Sequence, residues 1–168
     1  ENGYKENIKV VVIDNNSTDD TVRIIKDKFS EVHLIESEVN LGFGQANNKG
    51  FEYAITNNFD YVFLLNQDAS IDSGSLDHLI ETYQKDQHTG VLSPVHYKDE
   101  NDIENLFLSY LSDSKINVNE IGTKKVKNIK FVNAALWLIS VENLIKLGGF
   151  NKLYFHYGED VDFINRVE

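Results

Sequence analysis

The chain has 168 residues, 41% of them hydrophobic and 11% aromatic, which is enough apolar material for a continuous core and argues against intrinsic disorder. Its 27 acidic against 16 basic side chains leave a net charge of -11, which repels a phosphate backbone and disfavours any nucleic-acid partner. Cysteine is absent, so there is no disulfide framework and no thiolate metal site; any metal must take oxygen or imidazole ligands, and a reducing compartment fits.

Residues 8–13 are a short β-branched run ending in Asp14-Asn15-Asn16, the pattern of a buried parallel strand whose carboxyl end opens into a polar loop. Ser17 with Asp20 three residues on makes a capping-box pattern, and Val22, Ile25 and Phe29, flanked by Ile24, recur behind it at helical spacing. Residues 32–35 read as a second strand. Residues 44–58 read as a helix with Ala46, Gly50, Phe51, Ala54 and Ile55 on or near its buried face. A third strand over 61–65 runs into Asn66-Gln67-Asp68, and a helix starting near Ser75 carries Leu76, Leu79, Ile80 and Tyr83.

Beyond residues 90–94 the pattern loosens. The stretch 97–127 is rich in Asp, Glu, Asn, Ser and Lys, shows no clean period and reads as a variable excursion. Order resumes at 129–132 and 134–139, followed by a short helix capped by Ser140 and closed by Gly148-Gly149. Residues 154–160 then lead into a terminal helix. The longest apolar stretches, such as 61–65 and 134–139, fall far below the ~20 residues that span a bilayer, so no membrane span is expected. The chain opens on Glu1 without an initiator methionine and stops within an apparent helix at residues 165–168, and is expected to be an excerpt of a longer protein.

The repeated order of strand, loop and helix predicts one α/β domain over 1–168 with a doubly wound, mostly parallel sheet, in which ligands bind beyond the carboxyl ends of the strands. Three polar clusters occupy such positions or a helix start: residues 14–19, residues 66–69, and Gly158-Glu159-Asp160. Each alone has an ordinary explanation, because a strand-end Asp serves as a cap or turn former and an acidic helix start complements the helix dipole. Their order and spacing together, with residues 40–50 between the first two, point to a site.

Four ordered motifs carry a family resemblance: Val-Val-Ile-Asp-Asn-Asn-Ser-Thr-Asp over 11–19, Asn-Leu-Gly-Phe-Gly-Gln-Ala-Asn-Asn-Lys-Gly over 40–50, Leu-Leu-Asn-Gln-Asp-Ala over 64–69, and Gly-Gly-Phe-Asn-Lys-Leu-Tyr-Phe-His-Tyr-Gly-Glu-Asp-Val-Asp-Phe over 148–163. In this the sequence resembles glycosyltransferase family 2, the inverting enzymes of the GT-A fold, and within it the rhamnosyltransferase-like branch. The resemblance covers nearly the whole chain except about 97–127 and implies a Rossmann-like three-layer α/β/α sandwich. The family's first strand and helix precede residue 8, and residues 1–7 are too short to supply them.

The resemblance further implies transfer of a sugar, rhamnose in that branch, from a nucleotide-diphosphate-sugar donor to a hydroxyl of a saccharide or lipid-linked acceptor, in bacterial cell-surface polysaccharide synthesis. The setting it implies is the cytoplasm, at the inner face of the cell membrane through parts outside this sequence. Asp14 resembles the family's base and ribose contact, with Asn16, Asn40, Gly42, Asn47 and Gln67 lining the same pocket and Gly42 giving the ligand close backbone access. Asp68 is the implied ligand of a divalent Mg or Mn ion, with Asn66 and His156 as further donors. Many relatives have Asp-any-Asp where this chain has Asn66-Gln67-Asp68, one formal charge fewer. Asp160 matches the family's general base and Glu159 is its acidic neighbour. His156 between aromatics also reads as a packed structural residue, and Trp137, the only tryptophan, either stacks on the acceptor or packs in the core.

Two other classes fit parts of the pattern. A sugar nucleotidyltransferase would share strand-end carboxylates and metal, yet no glycine-rich, basic phosphate loop follows the first strand. A non-catalytic nucleotide- or carbohydrate-binding module would have no use for the Glu159-Asp160 pair. A Rossmann-type dehydrogenase is disfavoured, since residues 40–44 lack Gly-any-Gly-any-any-Gly spacing.

Overall fold

A computed structural model describes residues 8–86, 88–100, 102–121 and 127–167. The elements in chain order are β1 (Val11–Asp14), α1 (Thr21–Lys28), β2 (His33–Glu36), α2 (Phe43–Thr56), β3 (Tyr61–Leu65), α3 (Ser75–Lys85), α4 (Asn105–Asp113), β4 (Leu136–Ser140), α5 (Val141–Leu147) and α6 (Glu159–Val167). The chain divides into two compact units, the first built from residues up to Val62 and from Ile139 onward, the second from Phe63–Leu138.

In the first unit β1 and β2 pair in parallel, with Val11 opposite His33 and Asp14 opposite Glu36. Parallel pairing requires a crossover, and α1 supplies it. The helix starts later than its capping-box pattern predicted. The Ser17 amide is taken by the Asp14 carboxylate (3.1 Å), and Asp19 accepts from the Thr21 N–H (3.0 Å) at the true start. None of α1's residues is buried, and Ile24 and Phe29 are exposed, so the stripe seen in the sequence is not a core face here.

Helix α2 packs on β1 and α5. It buries Gly44, Ala46, Phe51 and Ala54, while Ile55, expected near the buried face, is exposed. A Cβ at Gly50 would meet Ile13 at 3.9 Å, an ordinary contact, so the spacing of helix and strand there does not depend on glycine. Below it Phe51, Phe150 and Phe163 form an aromatic core, with Phe150 centred 5.6 Å from Phe51 and 5.3 Å from Phe163. The α5 boundaries follow their caps: the Ser140 hydroxyl accepts from the Asn143 N–H (3.1 Å), and Gly148 ends the helix in the left-handed region at φ 81°.

Strands β3 and β4 are hydrogen-bonded neighbours. The Val141 N–H donates to the Asp60 carbonyl and the Asn66 N–H to the Ala135 carbonyl, so one residue number rises as the other falls and the pair is antiparallel. The parallel pairing expected of the sheet is therefore seen in β1–β2.

The second unit buries Leu64, Leu79, Ile80, Tyr83, Phe107, Leu111 and Trp137. The stretch 97–127 corrects the sequence reading, because it contains α4 and a 3-10 turn at Val118–Glu120, and Phe107 and Leu111 on α4 are core residues. Residues 129–132, where order was expected to resume, are irregular. Near the start of this region the buried His96 ring lies 3.0 Å through Nε2 from the Ser93 hydroxyl, 3.7 Å through Nδ1 from the Glu104 carboxylate and 4.8 Å from the Phe107 ring.

Candidate functional site

The carboxyl end of β1 places Asp14 in a buried position. Its Oδ2 accepts the Ser17 N–H, and its Oδ1, also buried, has no hydrogen-bond partner among the described residues. A carboxylate oxygen left unpaired in that setting is costly unless something binds it, which marks the strand end as a place for a ligand donor.

The next residue, Asn15, is the organiser, and the sequence reading passed over it. Its side-chain amide donates to Asn40 Oδ1 (3.0 Å) and to the Gly42 carbonyl (3.4 Å), while its Oδ1 accepts the Leu41 N–H (2.8 Å). Asn40 Oδ1 also accepts the Gly42 N–H at 2.9 Å. The turn over 40–42 is thereby fixed against the end of β1. Asn16 is exposed and left-handed at φ 70°, a conformation that Asn tolerates better than most residues. Asn47 donates to the Phe43 carbonyl within α2 (3.0 Å).

Gly42 was expected to give a ligand close backbone access, and the structure shows what lies on its side-chain face. Its φ is 75°, and a Cβ there would overlap the Phe155 carbonyl oxygen. The space that glycine opens is filled by the protein's own backbone rather than left to a ligand. Phe155 belongs to segment 148–160, which is further held by Asn48. The Asn48 amide donates to the Phe150 carbonyl and its Oδ1 accepts the Phe150 N–H, each at 2.8 Å. The Asn47-Asn48 pair was visible in the sequence, but its partner 102 residues away was not.

The acidic pair opens α6, which Arg166 anchors from its far end through the Leu147 and Gly149 carbonyls and Asp162. Glu159 is buried, and its Oε2 has no hydrogen-bond partner among the described residues. Asp160 is half-buried, with Oδ1 accepting the Val161 N–H at 2.8 Å. Two adjacent carboxylates thus face different surroundings. His156 is exposed, with its ring 3.8 Å from that of Tyr157, so the packed reading does not describe it.

Asn66, Gln67 and Asp68 lie in the second unit, on a turn closed by the Ala69 N–H on the Asn66 carbonyl (3.0 Å); Gln67 and Asp68 are exposed. Among the described residues no group of three or more His, Cys, Asp or Glu side chains comes together. One carboxylate and one amide fit a Mg or Mn ion only in the mode where phosphate oxygens and waters complete its shell. Trp137 has 0% exposure. A ring with no accessible face cannot stack on an acceptor, so the structure corrects that expectation in favour of core packing. None of the helices among the described residues is long and apolar enough to cross a membrane.

Residues 1–148 match the family described as Glycosyl transferase family 2. The poly-beta-1,6-N-acetyl-D-glucosamine synthase of Staphylococcus epidermidis is 30% identical over 87 residues, which are 51% of this chain and 20% of that enzyme. The chain therefore spans about a fifth of the length of this curated relative. Among solved structures, S. aureus TarS 1-349 superposes with a TM-score of 0.68 at 18% identity, over 97% of this chain and 46% of that one. The same protein in complex with UDP gives 0.69 at 18%, over 95% and 45%. The mannosyltransferase PcManGT from Pyrobaculum calidifontis, in complex with GDP-Man and Mn2+, gives 0.68 at 20%, over 96% and 43%. These likenesses show the fold, an α/β fold of the GT-A type.

Proposed function

The chain belongs to glycosyl transferase family 2, and from that premise we propose that it is the catalytic domain, over 1–168, of an inverting transferase that moves a sugar from a nucleotide-diphosphate donor to an acceptor hydroxyl. The single observation that carries this reading is the composition of the first unit. It holds the buried, half-unpaired Asp14 and the Asn15-clamped turn at one end of α2, and on the same helix it seats the segment bearing Asp160. Nucleotide contacts and a proton acceptor are both needed for group transfer, whereas a pure binder needs only the first.

In the reaction, Asp160 takes the proton from the acceptor hydroxyl as that oxygen bonds to the anomeric carbon. The bond from that carbon to the diphosphate oxygen breaks, and the nucleoside diphosphate leaves from the opposite face. In this reading Asp14, Asn16, Asn40 and Asn47 bind the nucleotide sugar. A Mg or Mn ion held by Asp68, with Asn66 as a further donor, would supply Lewis-acid stabilisation of the leaving diphosphate. The Mn2+ named with the PcManGT structure supports a divalent ion there.

The motifs of the rhamnosyltransferase-like branch make deoxythymidine diphosphate rhamnose the donor of this reading, and the similarity to a poly-beta-1,6-N-acetyl-D-glucosamine synthase supports a role in polysaccharide synthesis. The test is a titration of the full-length protein against a panel of nucleoside diphosphates, with and without Mg or Mn, followed by transfer assays with the sugar donors of whichever base binds. Sugar transfer with nucleoside diphosphate release is expected. Release of pyrophosphate would instead identify a nucleotidyltransferase, and binding without turnover a binding module.

A further inference from the structure

Segment 148–160 lies on α2 at three points. Asn48 holds both backbone groups of Phe150 at 2.8 Å. Gly44 runs so close beneath the segment that a Cβ there would meet the Phe150 Cβ at 3.0 Å and the Glu159 Cβ and Cγ at 3.4 and 3.5 Å. Gly42 has the Phe155 carbonyl where a side chain would begin. All three residues come from the stretch 40–50, in which Gly42 was expected to give a ligand close backbone access.

Glu159 sits at the centre of this seam with 6% exposure. Its stem lies against the first turn of α2 and its backbone is the first residue of α6, and a carboxylate beside helix N-termini is favoured by the dipole. A side chain so deep has no open path to an acceptor hydroxyl, while Asp160 next to it is half-exposed.

We propose that Gly42, Gly44 and Asn48 form a docking rail for segment 148–160, and that Glu159 is a positioning residue whose buried carboxylate sets where α6 presents Asp160. The rail rests on the reading of Asp160 as the base only for its catalytic consequence. It divides the acidic pair into one group that reacts and one that holds. It also gives nucleotide turn and base a common support, since Asn40 and Gly42 start the helix on which Glu159 is seated.

The test uses the full-length protein with Glu159→Gln, which keeps volume and removes charge, and Gly44→Ala, which adds the crowding methyl. Transfer kcat is expected to fall about 10-fold or more in both, because a base misplaced by about an ångström loses its alignment. The Kd for nucleoside diphosphate should stay within about two-fold of wild type, a split that general destabilisation would not give. Backbone amides over 155–161 should exchange with deuterium at least about 10-fold faster, reporting local release of the segment. If Gly44→Ala does not fold, Glu159→Gln decides. Wild-type exchange over 155–161 in the folded variants would overturn the rail, and wild-type kcat would overturn the positioning role. Absence of transfer in the wild-type protein itself would instead count against the proposed function, and the exchange result would still judge the rail.

Discussion

Asn48 grips Phe150 by both of its backbone groups, donating to the carbonyl and accepting from the N–H at 2.8 Å each across 102 residues of chain. Two backbone groups of a buried residue thus share one side-chain partner. Asn48→Ala is expected to destabilise the fold by about 2–3 kcal/mol, the cost of stranding a donor and an acceptor. Thermal unfolding would show this as a melting point lower by several degrees; an unchanged melting point would mean that water replaces both bonds without loss.

Asp160→Asn preserves shape and removes the proton acceptor. Nucleotide binding should survive while transfer falls by about 10²-fold or more, the scale of general-base catalysis. Calorimetric titration and a turnover assay separate the two effects. Normal transfer by both this variant and Glu159→Gln would return the pair to a helix-start charge favoured by the dipole.

Asp68 is exposed on its turn, so Asp68→Ala should leave the fold intact. Turnover should drop strongly, and nucleoside diphosphate should bind more weakly in the presence of Mg or Mn but not in its absence. Equal affinity of wild type and variant with metal present would place the diphosphate elsewhere.

Burial holds the His96 imidazole below its ordinary value of 6.5, with Glu104 partly opposing the shift. The folded state then binds fewer protons than the unfolded chain. Stability from the neutral ring is present in full above the unfolded value and is lost as pH falls through that value toward the lower folded one. Urea midpoints should therefore drop as the pH falls below about 6.5, and the drop should shrink in His96→Gln. An equal drop in the variant would assign the pH dependence to other groups.

Local signals were legible where local physics decides. Strand β3 coincides with the apolar run at 61–65, and Ser140 and Gly148 bound α5 as their capping chemistry predicts. Nonlocal partners were not legible. Ser17 carries a cap pattern, but Asp14 takes its amide first, and nothing in the spacing reveals that competition. Helix α4 was hidden by polar neighbours, although Phe107 and Leu111 stand at i and i+4 and would have marked it. Trp137 could be read either way because its environment is made by residues distant in sequence. For the candidate site, residue types were visible, but the division of labour between Asn15 and Asn16, or between Glu159 and Asp160, arises only from burial and hydrogen bonding.

The gap between Asn48 and Phe150 has a meaning for synthesis. As the chain leaves the ribosome, the face of α2 formed by Gly44, Asn48 and Phe51 emerges long before the segment that covers it. At about 5–20 residues per second, roughly 5–20 s pass before Phe150 is made. The whole of 63–138, the second compact unit, is produced within that interval and can fold first. The nascent first unit spends the same time with the Phe51 ring and both ends of the Asn48 amide waiting for Phe150.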